Sequence, residues 1–233
     1  MTAFAARATR TAAILACALA ALPGAAGASA ASDALRPAIE KVLRILDDPE
    51  LKGETKMLER RAALRDVVEG VIDFPEAARR ALAVHWRGRT DAEHDEFVVV
   101  FKDLATHSYI RLMEPYAGGS VQIAGESQAD DTTTVFTRVH RRQGEPVSVD
   151  YRMHLRGTRW LIYDVLVEGV SLVGNYRVQF NTIIQTSSYP ELLRRMRARV
   201  IDLTESRDTA IGDGDVWSRL IGAVWRGLHG QRS

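Results

Sequence analysis

Cysteine and long apolar runs are nearly absent from this sequence. The single cysteine, Cys17, lies near the amino terminus, so the rest of the chain has no pair that could form a disulfide and depends on a hydrophobic core for stability. Beyond residue 30, no segment approaches the ~20 consecutive apolar residues that cross a bilayer. An excess of either charge is also lacking, because 31 basic and 30 acidic residues give a net charge of +1. This balance disfavours a nucleic-acid partner, which would select a basic surface.

The amino terminus has the pattern of a secretory signal peptide. Arg7 and Arg10 form a short basic region, residues 11–22 are apolar, and Ala28-Ser29-Ala30 supplies small residues for cleavage. We therefore expect residues 1–30 to be removed on export, and an amino-terminal membrane anchor is the alternative. Removal of this segment, which contains two arginines and no acid, changes the net charge from +1 to −1.

Helical periodicity dominates the first half of the remaining chain. Helices are predicted at residues 33–49 and 54–72, the second with apolar residues at roughly helical spacing, and a short alanine-rich helix is predicted at 76–85. A longer helix is predicted to begin at Thr90, because a threonine followed three residues later by Glu93 is the capping-box pattern. A proline and two glycines end this helix before residue 120.

An aromatic stripe runs along the long helix. Phe97, Phe101 and Leu104 are spaced by four and three residues, which places them on one helical face. Two interpretations of the stripe stay open at this point. Either it packs in an ordinary hydrophobic core, or it forms one wall of a cavity.

The apolar period changes to two in the second half of the chain. Alternating segments at 121–124, 133–139, 147–155 and 160–167 are separated by short turn-like links, which predicts a four-stranded antiparallel meander. Helices are predicted before and after these strands. The order of elements therefore predicts an α+β fold, in which a curved antiparallel sheet is wrapped by helices.

The segment 160–167 differs from the other predicted strands. Both of its faces are apolar except at Asp164, and simple alternation assigns Tyr163 and Val165 to the same face. A strand that is apolar on both faces must be covered on both sides or must face a cavity that a ligand fills.

No catalytic or metal-binding pattern emerges. The run Gly169-Val170-Ser171-Leu172-Val173 lacks the closing glycine of a nucleophile elbow, so Ser171 is predicted to cap the helix that follows. The six histidines show no metal-ligand spacing, and no phosphate-binding or dinucleotide fingerprint is present. We therefore predict no catalytic residue, no metal and no cofactor. Two alternatives stay open: an isomerase-like enzyme with Asp164 as its base, and a protein-binding adaptor whose pocket is filled by its own side chains.

Two blocks of residues carry a family resemblance. The first is the phenylalanine-rich helix with Phe97 and Phe101, which continues to Tyr109. The second begins with the strand at 160–165, passes through a turn with the sequence Glu-Gly-Val-Ser, and reaches Tyr176-Arg177. In this order the blocks resemble the MlaC family of periplasmic phospholipid carriers, also called toluene-tolerance auxiliary proteins. The resemblance covers about residues 35–200.

The resemblance implies a nuclear-transport-factor-2-like sheet with added helices and a deep apolar pocket for acyl chains. It also implies a periplasmic carrier that moves phospholipid between an outer-membrane lipoprotein complex and an inner-membrane ABC transporter, and so serves outer-membrane lipid asymmetry. On this basis we expect residues 31–200 to form the phospholipid-binding domain. Seven side chains are expected to line its cavity: Phe97, Phe101, Leu104, Val149, Tyr151, Tyr163 and Val165.

Arg177 is the expected contact for the lipid phosphate. It follows the Glu168-Gly169 turn by no more than about two helical turns, which would bring it near the mouth of the cavity. A guanidinium is a suitable partner for a phosphate group. The alternative is a salt bridge from Arg177 to Glu168 or to Asp164.

The carboxyl-terminal segment departs from the family pattern. Residues 201–214 are polar and contain glycines, which predicts a flexible link. Apolar residues at helical spacing in residues 216–228, including Trp217 and Trp225, predict a short amphipathic helix. Three roles remain open for this helix: a lid on the domain, a contact with a partner protein, or a transient contact with a membrane interface.

Overall fold

The computed structural model describes residues 30–142 and 144–205, with residues 199–205 described as backbone only. The predicted signal peptide, except for its last residue, and the predicted amphipathic helix at 216–228 lie outside the described residues. Among those residues, every helix is too short or too polar to span a bilayer.

Six α-helices are present in the described part of the chain. Four of them precede the sheet, close to the predicted positions, and two follow it. Their bounds are α1 (Ala30–Asp47), α2 (Met57–Val71), α3 (Phe74–Leu82), α4 (Asp91–Met113), α5 (Leu172–Thr186) and α6 (Tyr189–Glu205). Helix α6 therefore extends through residues 201–205, into the segment that was predicted to be a link.

The capping box at the start of α4 is confirmed. The Thr90 hydroxyl oxygen accepts a hydrogen bond from the Glu93 backbone N–H at 3.3 Å. In return, the Thr90 backbone N–H donates to a Glu93 carboxylate oxygen at 2.8 Å. Two amide groups that the helix cannot satisfy internally are thus satisfied by side chains.

We expect Thr90→Ala to lower the free energy of unfolding by about 1 kcal/mol, since it removes the hydroxyl acceptor of this cap. Urea unfolding followed by circular dichroism would measure the change. Thr182→Ala is a matched control, because the side-chain hydroxyl of this exposed threonine on α5 bonds, among the described residues, only to the carbonyl of Val178 in its own helix. Equal stability of the two variants would contradict a stabilising role for the cap.

Five antiparallel strands form one sheet in sequential order. The first four are the predicted meander, and a two-residue fifth strand extends the sheet at the end next to the fourth. The strands are β1 (Ser120–Ala129), β2 (Thr132–His140), β3 (Val147–Arg156), β4 (Arg159–Val167) and β5 (Val170–Ser171).

A tight hairpin between β4 and β5 precedes α5. Glu168 and Gly169, which link β4 to β5, both have positive φ angles, of 49° and 77°. Two consecutive residues with positive φ make a two-residue turn that matches the twist of an antiparallel pair. Ser171 then caps α5 as predicted, because its hydroxyl accepts from the Gly174 backbone N–H at 2.7 Å.

A β-bulge in β4 changes which side chains share a face. Arg152 of β3 pairs with Asp164, but its neighbour Met153 pairs with Ile162, so Tyr163 is left without a partner across the strands. An extra residue in one strand interrupts the alternation of side chains. Ile162 therefore joins Val165 on one face of the sheet. The prediction that Tyr163 and Val165 share a face is wrong for this reason.

The largest hydrophobic core lies among the helices. The aromatic stripe of α4 is fully buried there, with Phe97 and Phe101 at 0% exposure and Leu104 at 2%. Phe97 packs edge-to-face against Phe180 of α5, with ring centroids 5.9 Å apart. A second, smaller core joins the amino-terminal end of α1 to the sheet through Leu35 and its neighbours.

Candidate functional site

An apolar cavity lies between one face of the sheet and the helices α1, α2 and α4. The space there, including open solvent at the mouth, is about 930 Å³. The sheet contributes one wall, formed by side chains from four strands. These are Val121, Val139, Val149, Tyr151, Ile162, Val165 and Val167.

Helix α1 forms much of the opposite wall. Ile39, Val42 and Leu46 follow one another at helical spacing, so one face of α1 is apolar along its length, and that face lines the cavity. The two ends of this face, Leu35 and Leu46, are buried, while residues 38–43 are half-exposed or exposed. The middle part of the helix, which includes Ile39 and Val42, is therefore the part that covers the cavity.

Polar contacts hold both ends of α1. At its start, the Ser32 hydroxyl donates to a carboxylate oxygen of Glu126 on β1 at 2.7 Å. At its end, the Gly118 backbone N–H donates to the Asp47 carboxylate at 2.6 Å. These contacts fasten α1 to the sheet at one end and to the turn before β1 at the other.

The cavity is electrically neutral. Within the described part of the chain, every side chain that lines it is aliphatic, a methionine or a tyrosine. Burial raises the pKa of Tyr151 to about 12. Burial is also the main cause that raises the pKa of Tyr109 well above its usual value. Both phenols therefore stay protonated at neutral pH, and the cavity favours hydrocarbon over any ionic group.

Three of the predicted cavity residues line this space: Val149, Tyr151 and Val165. The strand register brings them together, because Tyr151 pairs with Val165 and Val149 pairs with Val167 across β3 and β4. Side chains opposite one another in an antiparallel pair lie on the same face.

The aromatic stripe lies elsewhere. Phe97, Phe101 and Leu104 belong to the helical core and are not among the residues that line the cavity. Of the two interpretations left open above, the structure supports ordinary core packing. The stripe packs against α5, where Phe101 meets Tyr176 with ring centroids 5.5 Å apart.

Tyr163 also lies away from the cavity. The bulge turns it to the other face of the sheet, where the guanidinium of Arg80 lies 3.9 Å from its ring centroid. The ring of His154 packs against it edge-to-face at 5.6 Å. A cation above an aromatic ring is a favourable contact, so this environment accounts for the position of Tyr163.

Arg177 is exposed on α5 and lines no part of the cavity. Within the described residues, it has no carboxylate within 4.0 Å. Its two predicted acidic partners are engaged elsewhere. Glu168 accepts a hydrogen bond from the Ser148 backbone N–H, and Asp164 pairs with Arg152 at 3.2 Å.

Asp164 anchors the turn into α5. Its side chain is 4% exposed, and its oxygens accept hydrogen bonds from the Ser171 hydroxyl at 2.7 Å and from the Val173 backbone N–H at 3.1 Å. The carboxylate lies on the face of the sheet away from the cavity, since its cross-strand partner is Arg152. This arrangement supports a structural role and gives the isomerase alternative no base within the cavity.

Sequence reasoning missed the contribution of α1. Its apolar spacing was visible, but an amphipathic helix over a core and one over a cavity have the same sequence pattern.

The described residues contain no group of three or more histidine, cysteine, aspartate or glutamate side chains placed to hold a metal ion.

The fold and cavity define a class of protein: a small α+β binding protein whose helices cover an apolar cavity on one face of a curved antiparallel sheet. Within this class the chain belongs to the MlaC protein family, whose family model matches residues 36–198. Proteins of this family are in general periplasmic. Membership points to a binding or carrier protein rather than an enzyme.

The fold also matches a solved structure. It is similar to a phospholipid-binding protein from Ralstonia solanacearum, whose structure was determined in complex with a phospholipid. The TM-score is 0.67 and the sequence identity is 24%, over 75% of this chain and 99% of the other. This similarity shows that the two proteins share a fold.

Proposed function

We propose that this protein binds a glycerophospholipid by its acyl chains and carries it across the periplasm. The observation that carries the proposal is the neutral apolar cavity between α1 and the sheet, whose lining suits a hydrocarbon ligand. Membership of the MlaC family and the shared fold with a phospholipid-bound protein support it.

The energetics suit a carrier. Each methylene moved from water to an apolar environment gains ~0.8 kcal/mol, so two chains of ~15 carbons gain on the order of 20 kcal/mol. This is close to the ceiling for noncovalent affinity. A loaded carrier would therefore release almost no lipid into water. Exchange with a membrane is nearly neutral, because both environments are apolar, so a partner or a bilayer surface must open the way.

The transport route is part of the same proposal. The protein would exchange lipid with an outer-membrane lipoprotein complex and with an inner-membrane ABC transporter, after export directed by residues 1–30. The proposed signal peptide, apart from Ala30, and the carboxyl-terminal segment from residue 206 lie outside the described residues. The roles of both segments stay predictions.

The cavity argues against the adaptor alternative. A self-filled pocket would have its space occupied by side chains of the chain itself, as happens around Phe97 and Phe101 in the helical core. Beside Val165 and Tyr151, by contrast, the apolar side chains of α1 and the sheet border an open space. No observation on the described residues favours the isomerase alternative.

Organic extraction of the protein tests the proposal. We expect the protein, purified after export, to yield phospholipid in near-stoichiometric amount by mass spectrometry, because hydrocarbon bound in a neutral apolar cavity does not escape to water. Delipidated protein should take up phospholipid again from vesicles. A folded protein that arrives without lipid and also takes up none from vesicles would refute the proposal.

A further inference from the structure

The proposed function leaves the location of the lipid phosphate unassigned. The lining residues in the described part of the chain offer no charged group, so a phosphate must lie at the border of the cavity. Many basic side chains near the helices are already neutralised by acids. Examples are Arg61 with Glu114 at 2.8 Å and Lys102 with Glu69 at 2.6 Å.

Two adjacent arginines follow the end of β2, next to the cavity. Arg141 comes two residues after Val139, which lines the cavity. The guanidinium carbon of Arg141 lies 6.0 Å from the ring centroid of Tyr116, another lining residue. Its Nε atom is buried and has no hydrogen-bond acceptor among the described residues. A buried N–H without an acceptor is costly, and a phosphate oxygen would supply the acceptor.

Arg142, the next residue, lies beside the turn that precedes β1. Its guanidinium packs directly on Gly118. If this residue had a Cβ atom, that atom would lie only 1.9 Å from the Arg142 Nε. Asp47, which also lies at Gly118, accepts a hydrogen bond from the Gly118 backbone N–H with its Oδ1. Within the described residues, neither Arg141 nor Arg142 has a carboxylate within 4.0 Å.

We infer that Arg141 and Arg142 bind the phosphate ester of the lipid whose chains occupy the cavity. The inference rests on the proposed function and assigns the headgroup contact to the end of the cavity lined by Tyr116, Val121 and Val139. Guanidinium groups bind phosphate oxygens through paired charge-assisted hydrogen bonds, and two unneutralised guanidiniums at one border supply both charge and geometry. This assignment takes the place of Arg177.

A competition between two lipids with the same acyl chains tests the inference. Delipidated full-length protein is equilibrated with vesicles that contain dioleoylphosphatidylglycerol and dioleoylglycerol, and the ratio of the two bound lipids is measured by mass spectrometry. We expect the natural protein to be enriched in the phosphate-bearing lipid. We expect R141Q/R142Q to lower the ratio by about tenfold, since charge-assisted hydrogen bonds are lost.

The control variant is R138Q/R177Q, which removes the same net charge. Both of these arginines are exposed and have no carboxylate within 4.0 Å among the described residues. The control should leave the lipid ratio unchanged. A ratio that is also unchanged in a folded R141Q/R142Q, with both lipids still bound, overturns the inference and leaves the proposed function standing. A natural protein that takes up neither lipid overturns the proposed function itself.

A further measurement on the natural protein keeps the inference testable without that variant. In the natural protein, the preference for phosphatidylglycerol should fall as salt is added, because Arg142 is exposed and its contact with phosphate is open to screening. A preference that does not respond to salt, or no preference at all, overturns the inference. Calorimetric titration with inorganic phosphate tests the other source of the same chemistry. Phosphate binding that R141Q/R142Q abolishes, with no change in the lipid ratio, identifies a free-phosphate site and overturns the lipid assignment.

Discussion

Replacement of Val165 by aspartate is expected to lower lipid loading by about a hundredfold, which corresponds to ~2.7 kcal/mol of lost affinity. Val165 lines the cavity and is paired across the strands with Tyr151, another lining residue. A carboxylate at this position would have to be dehydrated when hydrocarbon fills the space. Loading is measured as the ratio of phospholipid to delipidated protein after equilibration with vesicles.

The matched control is Val178→Asp, the same substitution on α5, where the side chain is 64% exposed. This variant should load lipid as the natural protein does. A second variant, Val165→Phe, reduces the space without introducing charge, and we expect it to weaken loading while the protein stays folded. Normal loading of a folded Val165→Asp protein would contradict the assignment of the cavity as the lipid site.

Replacement of Asp164 by alanine is expected to lower the free energy of unfolding by about 3 kcal/mol. Removal of the carboxylate leaves the Val173 backbone N–H and the Ser171 hydroxyl without their acceptor, and it leaves Arg152 without its ionic partner. Each buried donor left without its acceptor costs about 1–3 kcal/mol, whereas Arg152, whose side chain is 42% exposed, can be solvated and adds little. Denaturant unfolding followed by circular dichroism and fluorescence would measure the change.

Asp150→Ala provides the comparison for Asp164→Ala. Asp150 lies on the same face of β3 as Arg152 and is half-buried, and among the side chains described it accepts a single hydrogen bond, from Ser148 at 3.2 Å. Its removal should cost less than about 1 kcal/mol. If Asp164→Ala proved as stable as Asp150→Ala, Asp164 would not anchor the turn, and a functional explanation for its burial would be needed.

Local patterns in the sequence predicted most of the secondary structure. The pattern of Thr90 and Glu93 predicted the start of α4, and Ser171 was correctly predicted to cap α5. The four long strands follow the alternating segments. These features were predictable because a cap depends on a few neighbouring residues, and alternation in an antiparallel strand depends on which face is buried.

The walls of the cavity were predicted only in part. Val149, Tyr151 and Val165 were expected to line it, and they do so in the structure. Tyr163 does not line the cavity, because a bulge between β3 and β4 interrupts the alternation of side chains. Nothing in the local sequence predicts that extra residue.

By itself, the sequence determined the class of fold, the order of helices and strands, and the resemblance to a family of lipid carriers. Only the tertiary structure decided which apolar surfaces meet each other and which enclose a space. The stripe of α4 and the apolar face of α1 have the same helical periodicity, but the first packs against α5 and α6 while the second covers a cavity. The reason is physical: periodicity records which face of a helix avoids water, and the packing of distant elements determines whether that face meets side chains or a ligand.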